Sequence, residues 1–141
     1  MRVVIDTVVF VRALINPHGP SGQLLSRTGE FTLCTSEELA LELMEALQDP
    51  ALRAKFTRAG SPPLPLRRIL DWLAHAEVIE VTTRVNVCRD PDDNKVFACA
   101  LDARAAAIVS EDKDVLSVQE YQGIRTTNAL GLISLLDDAT S

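Results

Sequence analysis

The chain has 141 residues, 47% of them hydrophobic, with a formal net charge of -6 at pH 7 and a pI near 4.8. That length buries one respectable core and not two, so a single domain over residues 1–141 is expected. The acidic balance excludes a protein that grips nucleic acid by bulk positive charge.

Cys34, Cys88 and Cys99 form no C-x-x-C pair and are odd in number. This argues against a zinc site or disulfide framework and for a reducing cytoplasm. The N-terminal run VVIDTVVFVRALI is apolar, but Asp6 and Arg12 interrupt it and no small-residue cleavage site follows. Neither a signal peptide nor a membrane span is expected.

Residues 2–11, rich in Val and Ile around one acid, predict a strand buried on both faces of a parallel sheet. NPHGP at 16–20 is loop chemistry, and SGQLLSRTG predicts a short helix closed by Gly29. FTLCT at 31–35 predicts a second strand. Ser36 then serves as N-cap for a helix with Leu39, Leu43, Ala46 and Leu47 at core spacing and Glu38, Glu42 and Glu45 offset from that stripe.

A helix over 50–58 ends at the breaker AGSPPLP, and Leu66, Ile69, Leu70 and Leu73 give the next helix an apolar face. Strands are expected at 78–82 and 106–110, helices at 92–103 and 114–119, and a small edge strand from Ile124 before a last helix at 128–136. Strands alternating with helices predict an α/β three-layer sandwich, a central parallel sheet of four to five strands flanked by helices.

Several acids stand where packing gives them no purpose. Asp6 falls near the end of the first strand, and in open α/β sheets ligands bind outside the carboxyl ends of the strands. RDPDDNK has an ordinary structural account: Asp90 as N-cap, Pro91 at the first helical position, and Asp92 and Asp93 favoured by the helix dipole. SEDKD after the strand AAIV is open to the same account, and Glu42 alone is a helix-surface acid. Topology nevertheless aims Asp6, Asp93 and Asp112 at one rim. Two unit charges about 5 Å apart at an effective dielectric near 20 repel by roughly 3 kcal/mol, so converging acids need a cation. Carboxylates without His or Cys select a hard, oxygen-preferring ion, Mg²⁺ or Mn²⁺.

IDTVV, the acid within ELALELMEAL, DPDDNKVFACAL and IVSEDKDVL together resemble the PIN-domain family of metal-dependent nucleases. More narrowly, they resemble the bacterial and archaeal branch of toxin-antitoxin toxin components, the VapC-like ribonucleases. The resemblance spans roughly residues 2–136 and rests on four acids in order, since no single motif is specific. It implies a PIN-like fold and a metal-dependent endonuclease cutting single-stranded RNA. Its catalytic acids fall on Asp6, Glu42, Asp93 and Asp112. Asp6, Asp93, Asp112 and Asp114 would be the metal ligands, and Thr7, Ser110, Asp90 and Asn94 the supporting residues. A cognate antitoxin and a homodimer are the implied partners.

The chain departs from the branch at two positions. Val8 stands where Asn is usual, which removes a site hydrogen bond. Glu111 stands where Gly or Arg is frequent, which adds negative charge on the path of a phosphate.

Arg12, Lys95, Lys113 and the basic segment Arg53, Lys55, Arg58, Arg67 and Arg68 are candidates for flanking phosphates, though each also serves as a solvated surface charge. His18 and His75 have no partner at metal-ligand spacing. Trp72 reads as core margin, or as a platform for a base or a second copy. Leu24, Leu25 and the leucines at 132–136 serve either as core or as an apolar interface. A Toprim-like domain would need Glu in place of Asp6 and leaves DPDD unexplained; a receiver domain would need paired acids at the first strand. A PIN fold that binds RNA or protein without cutting is the alternative from a different class.

Overall fold

A computed structural model describes residues 1–58 and 66–140. The breaker AGSPPLP lies outside the described residues. In chain order the elements are β1 (Arg2–Ile5), α1 (Thr7–Ile15), α2 (Pro20–Leu25), a 3-10 turn (Thr28–Glu30), β2 (Thr32–Thr35), α3 (Glu37–Ala46), α4 (Pro50–Arg58), α5 (Leu66–His75) and β3 (Glu77–Val78). A second 3-10 turn (Pro91–Asp93) then leads into α6 (Asn94–Ala103), β4 (Ala107–Val109), α7 (Lys113–Leu116), β5 (Glu120–Tyr121), β6 (Ile124–Thr127) and α8 (Ala129–Thr140).

The strands form one six-stranded sheet in the order β3-β2-β1-β4-β6-β5, parallel except for the β5–β6 pair. The expected three-layer architecture is present, with one strand more than the sequence suggested. The added strand is β5, joined to β6 by a two-residue turn in which Gln122 and Gly123 both have positive φ, 49° and 84°. That is the hairpin geometry glycine favours. β6 is consequently interior, not the edge strand expected at Ile124, because it pairs with β4 on its other side.

Period-two alternation feeds two cores. Val3, Ile5, Leu33, Ala107 and Val109 face one layer, with Phe10, Leu24, Leu43, Ile69 and Leu132 among the helical residues there. Val4, Cys34 and Ile108 face the other, against Phe97, Cys99 and Ala100 of α6. Leu24, Leu25, Leu132 and Leu136 are all buried in the first core, so they are not a free interface. Trp72 packs at the margin of that core, its ring 5.8 Å from that of Phe10. Within α5, Ile69 is buried whereas Leu70 is 60% exposed, which narrows the expected apolar face to one side of its stripe.

Two expected strands are shorter. Residues 2–11 split at Asp6, which caps α1 by accepting the Thr7 N–H. The β-branched run then continues as helix, since Val9, Phe10, Ala13 and Leu14 bury one helical face. The third strand ends at Val78; Ile79 still donates its N–H to the Thr35 carbonyl of β2 at 2.7 Å, and Ile79, Val81, Val85 and Val87 pack along the second core. Asp102 ties this segment down by accepting from the backbone N–H groups of Thr82 and Thr83 at 2.7 and 3.0 Å and from the Thr83 hydroxyl. Three donors on one carboxylate hold Asp102 below the usual carboxylate range, the Thr83 hydroxyl foremost.

From β1 the chain winds outward through β2 and β3, then returns to the other side of β1 at β4. The gap between the carboxyl ends of β1 and β4 is therefore the switch point of the sheet, where open α/β folds bind ligands.

Candidate active site at the switch point

Asp6 leaves the end of β1, and Ser110 to Asp112 leave the end of β4. The Asp6 N–H donates to the Val109 carbonyl at 2.9 Å, which locks the two strand ends in register. The Asp6 carboxylate is buried, with Oδ1 accepting from Thr7 N–H and Oδ2 from the Ser110 hydroxyl, both at 2.8 Å. Ser110 Oγ in turn accepts the Asp112 N–H at 3.0 Å. Burial raises the Asp6 pKa, the two hydrogen bonds oppose that shift, and the charge of Asp112 adds to it.

Asp112 caps α7 by accepting the Asp114 N–H at 2.8 Å, and Asp90 caps the Pro91–Asp93 turn by accepting the Asp92 N–H at 3.0 Å. Both capping accounts suggested by the sequence are thus realised. They do not exhaust the acids, however. Asp93, Asp112 and Asp114 each present a carboxylate oxygen within 4.8 Å of the others. Asp93 Oδ2 is buried and has no hydrogen-bond partner. Desolvation, then the charges of Asp112, Asp90, Asp6 and Asp114, raise the Asp93 pKa to about 6. A buried acceptor without a donor, facing other carboxylates, is the arrangement an added cation relieves. The all-oxygen donor set suits a hard divalent ion.

Asp6 stands beside this trio, with both its oxygens already accepting protein donors. Glu42 approaches from α3. Its pKa is raised by burial, an effect opposed by Lys95 and reinforced by Asp6, Asp92 and Glu38. Lys95 Nζ lies 3.6 Å from Asp92, 3.9 Å from Glu42 and 3.9 Å from Glu38. Sequence alone does not mark Glu38 and Asp92 as neighbours of the site. Their signal was spacing: Glu38 lies one turn before Glu42, and Asp92 three residues before Lys95.

Among the supporting residues, Asn94 Oδ1 accepts the N–H groups of Val87 and Cys88, each at 2.9 Å, and so fixes the approach to the Asp90–Asp93 turn. Thr7 Oγ1 is buried without a partner. Val8 is 42% exposed on the rim of α1. Glu111 does not stand as a bare charge: it pairs with Arg12 at 3.7 Å and accepts the Ala129 N–H at the start of α8 at 3.3 Å. Lys113 lies on α7, between the two acids Asp112 and Asp114.

Residues 2–114 match the family profile of the PIN domain. The chain is also 34% identical over 122 residues, 85% of its own length and 76% of the relative's, to the uncharacterized protein MJ1680 of Methanocaldococcus jannaschii. No helix among the described residues is long and apolar enough to cross a membrane.

Proposed function

Because the chain belongs to the PIN-domain family, whose fold is of nuclease type, we infer that it is a metal-dependent endoribonuclease that hydrolyses phosphodiester bonds of single-stranded RNA in one domain. The observation that carries this reading is the buried, unpartnered Asp93 Oδ2 set among the oxygens of Asp112 and Asp114. Asp93, Asp112 and Asp114 would hold Mg²⁺ or Mn²⁺, with Asp6 alongside. Such an ion supplies a lowered water pKa and neutralises charge on the phosphodiester. The protein's own groups do the rest. Ser110 keeps Asp6 oriented, Glu42 orients and accepts a proton from the attacking water, and Arg12 and Lys113 steady flanking phosphates. Hydrolysis yields a 5'-phosphate and a 3'-hydroxyl.

An acidic protein can engage RNA locally in this way, since a bound ion inverts the sign of the site. The test is a mixed-sequence single-stranded RNA incubated with Mg²⁺ or Mn²⁺, against EDTA and the Asp93→Asn variant. Cutting should require the metal and be lost in the variant. Cutting that survives EDTA rejects the reading.

The biological role proposed is the toxin of a toxin-antitoxin pair, acting in the cytoplasm as a homodimer that an antitoxin silences. Growth arrest on expression without an antitoxin tests it. The exposed Val8, where the branch carries Asn, favours a second reading in which the fold binds RNA or protein without cutting. Absence of a thermal shift with Mn²⁺ in the unaltered protein would select that reading.

A further inference from the structure

The acids at the switch point divide into two groups that differ in one respect. Asp93, Asp112 and Asp114 bring their oxygens within 4.8 Å of one another, and Asp93 has an oxygen with no donor. The second group, Glu38, Glu42 and Asp92, surrounds the ammonium of Lys95 at 3.9, 3.9 and 3.6 Å. Glu38 and Asp92 are mostly exposed, so water screens them; Glu42 is drawn inward, and Lys95 is what opposes the effect of its burial. Lys95 itself is largely enclosed, rooted in the first turn of α6 two residues after Asp93.

Two-ion phosphodiesterase sites need carboxylates on both ions. Here the carboxylates on the Glu42 side already have a cation. We propose that Lys95 is a fixed positive charge standing in for a second metal ion, so that the site takes a single divalent ion at Asp93, Asp112 and Asp114. This rests on the metal-dependent reading above and assigns Lys95 a positioning role, acting through Glu42 and not on the substrate. It also gives Lys95 a duty other than the phosphate contact that its charge alone suggests.

The test is Mn²⁺ titration of metal-free protein by calorimetry, with electron paramagnetic resonance to distinguish isolated ions from an exchange-coupled pair. The unaltered protein should bind one ion per chain, with the signal of isolated Mn²⁺. Lys95→Met, which keeps the length of the stem and removes the charge, should bind two and show coupling. Lys95→Arg, which keeps the charge, should return to one, and circular dichroism on both variants confirms that they fold. A coupled pair in the unaltered protein overturns the proposal and leaves the nuclease reading standing. One ion in both the unaltered protein and Lys95→Met also overturns it, because Lys95 then holds no ion's place. No Mn²⁺ binding by the unaltered protein overturns the metal-dependent reading and this inference together.

Discussion

Ser110 donates its hydroxyl hydrogen to Asp6 Oδ2 at 2.8 Å across 104 residues of chain, and Ser110 Oγ itself accepts the Asp112 N–H at 3.0 Å. One side chain therefore couples the acid ending β1 to the acid following β4. Ser110 is fully buried, so nothing in solvent replaces it. Ser110→Ala strands a buried carboxylate oxygen and a backbone N–H at once, which should cost about 2–3 kcal/mol of stability. Urea unfolding of the metal-free protein measures it. A loss below about 0.5 kcal/mol would mean that Asp6 finds another donor and that the bridge is incidental.

Asp93 links protonation to folding with a definite sign. Its pKa rises from the ordinary 3.8 to about 6 in the folded chain, so the native state holds the proton more tightly than the unfolded one. Stability from this group therefore falls as pH rises through the window between those two values and is constant above it. Asp93→Asn removes the titration. Its stability relative to the unaltered protein should rise between about pH 4 and pH 6.5 and then level off, measured without metal; the difference between the two proteins cancels the carboxylates common to both. Mn²⁺ should reverse the order at pH 7 by stabilising only the protein with Asp93. A flat difference across the window would show that Asp93 is not destabilised by its neighbours.

Much of this fold is legible in the sequence because the central strands carry it openly. The Val3–Ile5 and Ala107–Val109 runs are buried on both faces, and the order of strands and helices between them dictates a parallel sheet. The β1–α1 boundary is less legible. Val8, Val9 and Val11 favour strands by local preference, and only tertiary burial of Val9, Phe10, Ala13 and Leu14 turns them into a helix. The readable sign was Asp6 itself, a good capping residue at the point where the period changes from two to 3.6. In the site, Asp93 and Asp112 were readable from their place after turns and strands. The pairing of Lys95 with Glu42 was not, because it depends on α3 and α6 lying side by side, and sequence spacing within either helix does not report that.

Asp90 and Asp114 flank the site at similar sequence distances, and geometry separates them. Asp90 spends one oxygen capping the Asp92 N–H, a task asparagine performs as well. Asp114 shares the close trio with Asp93 and Asp112. Asp90→Asn should leave Mn²⁺ affinity within about threefold, whereas Asp114→Asn should weaken it by about tenfold or more, both read by calorimetry. Equal losses in the two variants would indicate that bulk negative charge, not direct ligation, draws the ion.

Arg12 and Glu111 decide whether the acid preceding Asp112 obstructs the substrate. Both line a cleft of about 350 Å³ beside the site, together with Asn16, Ser21 and Asn128. Glu111 is mostly enclosed, while Arg12 is 59% exposed with its guanidinium 3.7 Å from the carboxylate. The pair contributes little to stability at that exposure, under about 1 kcal/mol. Its effect is to offset part of the charge of each partner toward an incoming phosphate. Glu111→Gln keeps an acceptor for the Ala129 N–H and should alter RNA cutting by less than about threefold, because the charge removed is already paired. Arg12→Ala exposes the Glu111 charge and removes a cation at the cleft; it should raise KM by about five- to tenfold with kcat nearly unchanged, most strongly at low salt, where screening is weakest. Steady-state cleavage of a labelled single-stranded RNA at two ionic strengths measures both. A tenfold gain in kcat/KM for Glu111→Gln would instead mean that Glu111 repels substrate despite Arg12, and that its charge at this position holds the activity down.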